Sequence, residues 1–261
     1  MKPMISYYGG KQRMLKNLIP LVTPHKIYVE PFCGGASLFF ALDIPDIKND
    51  HHYKCILNDK NEELINMYKV AVTKKQEFLD MLESIPYSES IFQKFKKNQC
   101  EQDDITLAVG FYVRNMMSFS YILDSGFSFG KIGRNFAKTF FNHRERLPQI
   151  LKKLSYTIIF NRDALDIIKR FDSEETFIYC DPPYPNANQG AYSGYTQKDF
   201  EKLIDIIKDC KSTVMLSCYE NDYVPKNWEK HEFKTRNTSS KINKGGHRES
   251  RTECVWIKRL L

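Results

Sequence analysis

The tetrapeptide Asp181-Pro182-Pro183-Tyr184 constrains this chain more than any other feature. It follows a short apolar run, Thr176-Phe177-Ile178-Tyr179-Cys180, that reads as a buried strand. Neither proline offers an N–H to a sheet ladder, and both fix φ, so the strand has to stop there. An acid, a stiff turn and an aromatic ring are left at its carboxyl end, where open α/β sheets bind their ligands. The residue types suit an exocyclic amine on a nucleobase, whose lone pair is delocalised into the ring. The Asp181 carboxylate and the Pro182 carbonyl form an acceptor pair for the two amine hydrogens, aimed in advance by the rigid turn. The Tyr184 ring can stack on a base swung out of its helix. A strand-ending turn with an exposed acid would explain the same four residues if nothing else in the chain matched.

Other segments do match. Glu30-Pro31-Phe32-Cys33-Gly34-Gly35-Ala36-Ser37 follows the apolar stretch Lys26-Ile27-Tyr28-Val29 and precedes an amphipathic pattern through Leu38, Phe39, Phe40 and Leu42. Strand, glycine turn and helix is the order that holds adenosine-containing cofactors, with Gly34 and Gly35 letting the backbone approach closely. The turn lacks the three spaced glycines of the dinucleotide fingerprint, and no Gly-Lys-Ser/Thr follows, so a ligand without phosphates fits better. Asp59, in Cys55-Ile56-Leu57-Asn58-Asp59, stands where such a unit places an acid for ribose hydroxyls. Near the start, Ser6-Tyr7-Tyr8-Gly9-Gly10-Lys11 reads as a loop ahead of a helix. Beside the other motifs, Lys11 becomes a candidate partner for a carboxylate, and Tyr7 or Tyr8 a candidate ring against a sulfonium or an adenine.

In order along the chain, Gly9-Gly10-Lys11, Glu30-Pro31-Phe32-Cys33-Gly34-Gly35, Asn58-Asp59 and Asp181-Pro182-Pro183-Tyr184 resemble the Dam-type DNA adenine-N6 methyltransferases, in their alpha group. The likeness covers nearly the whole chain. It implies a Rossmann-like class I methyltransferase sheet with a helical and β-hairpin target-recognition insert. The catalytic domain would span residues 1–62 and 155–261, and the insert 63–154. The resemblance implies S-adenosylmethionine as methyl donor and adenine in duplex DNA as acceptor. It carries cofactor contacts onto Tyr7, Lys11, Phe32, Gly34, Gly35, Asp59 and Asp181, and the flipped adenine onto Asp181, Pro182 and Tyr184. It also places Asp163, in Phe160-Asn161-Arg162-Asp163, near the cofactor adenine, although a helix N-cap explains Asp163 equally well. The implied mechanism is direct methyl transfer without metal or covalent intermediate. An ordinary carboxylate is too weak a base to deprotonate an aromatic amine, so Asp181 orients the acceptor. Two alternatives stay open on these residues: an acceptor such as cytosine N4 or RNA adenine, and a non-catalytic DNA-binding module of the same fold.

Charge agrees with a nucleic-acid partner. The net charge of +7 is unevenly spread. Residues 86–153 hold 11 Lys/Arg against 6 Asp/Glu, and residues 225–261 hold 10 against 4. Basic charge thus gathers in the insert and near the C-terminus, which suits contact with a polyanion as well as solvated surface lysine. Within the insert, Gly126-Phe127-Ser128-Phe129-Gly130-Lys131-Ile132-Gly133-Arg134-Asn135 alternates between glycines and predicts a β-hairpin with Lys131 and Arg134 near its tip. Arg114 and Asn115, at the polar end of a predicted buried helix, are further candidates for base edges, or else a cap and surface charge. A glycine-containing loop over 241–251 brings Lys244 and Arg248 as phosphate contacts.

The remaining expectations concern context. The seven cysteines and six histidines show no ligand spacing, so neither a metal site nor a disulfide framework is expected. No apolar run is long enough for a membrane span, and Met1-Lys2-Pro3-Met4 opens no signal sequence. A monomeric cytoplasmic enzyme with no membrane partner is expected, compatible with pairing to a restriction endonuclease. Residues 185–195 read as a mobile loop beside the site, ahead of a helix capped by Thr196.

Overall fold

A computed structural model describes residues 1–7, 9–44, 50–123, 125–130, 132–185, 194–236 and 250–259. The chain divides into two compact units, the first comprising residues 1–21 and 32–164, the second residues 22–31 and 165–261. Among the described residues the strands are β1 (Ile27–Glu30), β2 (Lys54–Asn58), β3 (Thr157–Phe160), β4 (Thr176–Cys180), β5 (Thr213–Cys218), β6 (Glu229–Arg236) and β7 (Ser250–Lys258). Strands and helices together make the α/β, Rossmann-like class expected, with β2 and β3 in the first unit and the other five strands in the second.

The second unit carries β1, β4, β5, β7 and β6 in that spatial order. β1, β4 and β5 are parallel; β7 is antiparallel to both β5 and β6. Every residue of β4 and β5 is buried, as strands covered on both faces require. The helix α10 (Gln197–Ile207) makes the crossover from β4 to β5, and begins with a capping box between Thr196 and Asp199. Its Phe200, Leu203, Ile204 and Ile207 are buried, the spacing of one helical face. The last strand of the chain is not the outer one. β7 lies between β5 and β6, and β6, with the sequence Glu229-Lys230-His231-Glu232-Phe233-Lys234-Thr235-Arg236, is the outer one. Its charged residues hide the strand from an apolar pattern and suit an edge that must not recruit another chain.

The first unit pairs β2 with β3 in parallel and builds the rest from helices. These are α1 (Leu15–Leu18), α2 (Ser37–Ala41), α3 (Glu62–Thr73), α4 (Lys75–Glu83), α5 (Glu89–Lys96), α6 (Asp104–Met117), α7 (Phe136–Arg144) and α8 (Leu147–Leu154). α6 is the axis of these helices, with α3, α4 and α5 packed around it, and from Ala108 to Met117 every residue is buried. Gly110 is required there, because a Cβ would stand 2.7 Å from the Phe95 ring of α5. The Arg144 guanidinium closes the end of α4 by donating to the Leu82, Glu83 and Ile85 carbonyls. Lys153 does the same for α2 through the Phe39, Phe40 and Leu42 carbonyls.

The predicted hairpin over 126–135 is not formed among the described residues. A single bridge joins Ser118 to Phe127, and the segment's backbone is met by neighbours outside it. Phe119 N donates to Gly126 O and Ser128 N to Met117 O, both at 2.7 Å, while the Tyr87 hydroxyl reaches Ser128 O at 2.6 Å. With its polar groups taken up by the end of α6 and by Tyr87, the alternating run has no second strand of its own to pair.

His143 of α7 is held neutral inside the helical part of the first unit. Its Nε2 stands 3.2 Å from the Pro3 carbonyl and its Nδ1 2.8 Å from the Tyr112 hydroxyl, so Nε2 carries the hydrogen and Nδ1 accepts. Burial lowers its pKa from the ordinary 6.5 to about 4. The unfolded chain therefore binds the proton more readily, and stability is full above pH 6.5 and declines as pH falls toward 4. This ring alone should remove about 2–3 kcal/mol between those limits. Urea midpoints at pH 7.5 and 4.5 should show that loss in the native chain and much less of it in His143→Gln, whose amide keeps both hydrogen bonds without titrating.

Candidate active site

The first unit holds the glycine turn. β2 ends at Asn58, and the next residue, Asp59, is almost fully buried. Its Oδ2 accepts from the Gly34 N–H and its Oδ1 from the Asn61 N–H, both at 2.9 Å. Cys33 N donates to Asn58 O at 2.8 Å, and the Tyr68 hydroxyl donates to Gly34 O at 2.8 Å. The buried turn thereby has its polar groups matched, as a water-excluded loop must. Gly34 and Ala36 take left-handed φ of 45° and 50°, a strain easy for glycine and uncommon for alanine. At Gly35 a Cβ would stand 3.1 Å from Tyr7 Cβ and 3.3 Å from Ile5 O. The N-terminal loop therefore lies directly on the glycine turn, and the Tyr7 hydroxyl accepts from Asn61 Nδ2 at 3.0 Å.

Around this turn the structure brings together Tyr7, Gly34, Gly35 and Asp59. Lys11 is buried, with its Nζ donating to Gly9 O at 3.1 Å, and Phe32 is half-buried. Asn58 ties in the next loop, accepting from Arg162 N at 2.9 Å and donating to Arg162 O at 3.1 Å. Asp163 follows that loop, exposed, just before α9 (Ala164–Phe171). Tyr8 lies outside the described residues.

The second unit holds the Asp-Pro-Pro-Tyr segment. Three parallel strands end on one edge, at Glu30, Cys180 and Cys218. Asp181 leaves β4 there, half-exposed, with Pro182 buried behind it. The Tyr184 hydroxyl donates to Glu253 Oε1 at 2.5 Å and stands 3.3 Å from Asp181 Oδ1. Burial foremost, then the charges of Asp181 and Glu253, push the phenol well above its ordinary pKa, so it stays protonated and a donor. Tyr219 follows β5 and meets the Tyr184 ring edge-on, with centroids 4.6 Å apart and planes at 69°. Asn221 fixes that turn, donating to Tyr219 O and accepting from Tyr223 N and Val224 N. Tyr219 carries no signal in the sequence as a site residue. Glu253 does carry one: Arg251-Thr252-Glu253, followed by the apolar run Cys254-Val255-Trp256-Ile257, resembles the end of Dam-type chains, without a role at the site attached to it.

The DNA-contact candidates divide. Arg114 and Asn115 are inside the helical part of the first unit rather than on its surface. The Arg114 guanidinium donates to Glu63 of α3 at 2.7 Å and lies over the Phe111 ring, and Asn115 is 1% exposed. Both are committed to packing because α6 is enclosed on several sides by its neighbours. Arg134 is at the surface and held in one pose. It donates to the Tyr121 hydroxyl at 2.6 Å and to Thr139 Oγ1 at 3.1 Å, with its guanidinium over the Tyr121 and Phe136 rings. Phe119, Phe129 and Ile132 are exposed in the same segment. Lys131, Lys244 and Arg248 lie outside the described residues, as do positions 186–193 of the loop expected beside the site.

The family model for D12 class N6 adenine-specific DNA methyltransferases matches residues 7–242. The chain belongs to that family. It is an adenine-specific DNA methyltransferase, and its reaction requires a methyl donor. The methyltransferase is 25% identical over 233 residues to the Type II methyltransferase M.CviBI of a Paramecium bursaria Chlorella virus, covering 86% of this chain and 85% of that one. It is 24% identical over 221 residues to the Type II methyltransferase M.MjaIII of Methanocaldococcus jannaschii, covering 76% and 75%. A DNA adenine methylase of Vibrio cholerae is 25% identical over 222 residues, covering 78% and 75%. No helix among the described residues of this methyltransferase is long and apolar enough to cross a membrane.

Asp59 offers a direct check on the glycine turn. In Asp59→Asn one acceptor oxygen becomes an NH₂ group facing a backbone N–H, which should lower stability by about 1–3 kcal/mol. Denaturant unfolding of the purified variant measures it, and a change under about 0.5 kcal/mol would remove Asp59 as the tie.

Proposed function

We propose that this methyltransferase uses S-adenosylmethionine to methylate adenine N6 in duplex DNA at a specific sequence, after the target base has left the stack. The observation that carries the reading is the Asp181 carboxylate at the carboxyl end of β4, followed by the rigid Pro182-Pro183 turn and the Tyr184 ring. Asp181 and the Pro182 carbonyl accept the two amine hydrogens and favour a tetrahedral nitrogen aligned for attack. Tyr184 stacks on the flipped adenine.

The residues of the first unit fit an adenosine-bearing amino-acid ligand. Lys11 supplies an ammonium for its carboxylate, Gly34 and Gly35 a close backbone, Asp59 acceptors for ribose hydroxyls, and Tyr7, Phe32 and Asp163 the surroundings of adenine and sulfonium. When bound, S-adenosylmethionine supplies an electrophilic sulfonium methyl. Residues 63–154 are assigned as the target-recognition insert, with Arg134 as a groove contact and Lys131, Lys244 and Arg248 as basic contacts to DNA. Residues 1–62 and 155–261 are the catalytic part. The setting proposed is cytoplasmic and monomeric, compatible with a partner restriction endonuclease.

Labelled S-adenosylmethionine and unmethylated duplex DNA, followed by nucleoside analysis, test the reading. Label in N6-methyladenine is expected; methylcytosine, or label on RNA alone, would overturn the acceptor. Asp181→Ala should reduce kcat by at least about 10³-fold, as loss of a preorganised acceptor does elsewhere. Cofactor affinity by calorimetry should change little, and retained turnover would remove Asp181 from its role.

A further inference from the structure

The acid of β7 stands close enough to Tyr184 to govern what Asp181 can do. Glu253 is one residue before Cys254, whose partner across the ladder is Cys218, the last residue of β5. That register brings the Glu253 carboxylate to the edge where β4 releases Asp181. Two carboxylates therefore face one phenol, Glu253 Oε1 at 2.5 Å and Asp181 Oδ1 at 3.3 Å. A phenol has a single hydrogen to give, and the short contact takes it. The Tyr219 ring, edge-on at 4.6 Å, supports the Tyr184 ring in that pose.

We propose that Glu253 is a positioning residue for methyl transfer: by claiming the Tyr184 hydrogen it keeps Asp181 Oδ1 an acceptor for the amine of the target base. This deepens the role given to Asp181 above and rests on it. Without the Glu253 charge, the phenol turns to the remaining anion, Asp181. An acceptor already occupied by a phenol hydrogen holds an amine hydrogen less well, and the attacking nitrogen loses its alignment. The Tyr184 ring is not displaced by this change, so base binding persists while the chemical step slows.

The test is a double-mutant cycle on the full-length enzyme with S-adenosylmethionine and duplex DNA. Glu253→Gln should lower kcat about tenfold, equivalent to roughly 1.4 kcal/mol, with KM for DNA within about twofold. In a Tyr184→Phe background there is no hydroxyl to redirect. There the same change should alter kcat by less than about twofold, leaving the double variant faster than Glu253→Gln alone. Wild-type kcat in Glu253→Gln, or an equal loss in both backgrounds, would overturn the proposal and make Glu253 a structural residue. If Glu253→Gln does not fold, Glu253→Asp keeps the charge but draws it back from the phenol. A partial kcat loss relieved by Tyr184→Phe is expected, and a loss independent of that background would overturn the proposal. Asp181→Ala separates the two levels. An inactive Asp181→Ala beside a fully active Glu253→Gln removes only the role of Glu253, whereas an active Asp181→Ala removes both.

Discussion

The first unit depends on the grip of one buried carboxylate. Asp59 holds the glycine turn at Gly34 and the start of α3 at Asn61 with its two oxygens. A side chain with fewer acceptors would leave a backbone donor unmatched in a place that excludes water. Because the turn is pinned, Gly34 and Ala36 can hold left-handed conformations that α2 requires at its start. Because Gly35 has no Cβ, the N-terminal loop with Tyr7 and Lys11 lies directly on the turn. The turn is thus held in shape by side chains that point inward.

The second unit solves a different problem, that of placing an acid at a sheet edge without letting it wander. Two prolines remove the ladder donors after β4, and Pro182 is buried, so the Asp181 backbone has little freedom. Around it, the Tyr184 phenol donates to Glu253 with Asp181 Oδ1 3.3 Å away, and Tyr219 backs the ring. The arrangement is a stiff backbone beside a bonded phenol, with no group strained to serve as a strong base. The chemistry proposed for it is alignment, which rigid acceptors supply better than mobile ones.

The helices of the first unit show how packing reassigns residues. α6 carries a basic and an amide residue at its polar-looking end, yet Arg114 and Asn115 are enclosed by the helices around them. The surface arginine of the same region, Arg134, is instead ordered by Tyr121 and Phe136. A guanidinium held in one pose loses less entropy when it meets a base or phosphate.

What the sequence determined by itself was local and chemical. The strand before Asp181, the glycine turn, Asp59 at the end of β2 and the Thr196 cap follow from proline, glycine and apolar patterning, and the structure has each where those residues require it. The edge strand β6 was not legible, because its charged residues carry no apolar period. The hairpin was read and is not formed, because the groups that satisfy residues 126–128 come from Met117, Phe119 and Tyr87, all outside the alternating run. Only the tertiary structure could decide that Arg114 is interior, that Arg134 is held against rings, and that Glu253 meets Tyr184 across 69 residues. Each depends on which elements pack together, and a hydrogen bond or ion pair between distant residues leaves no periodic trace in the sequence.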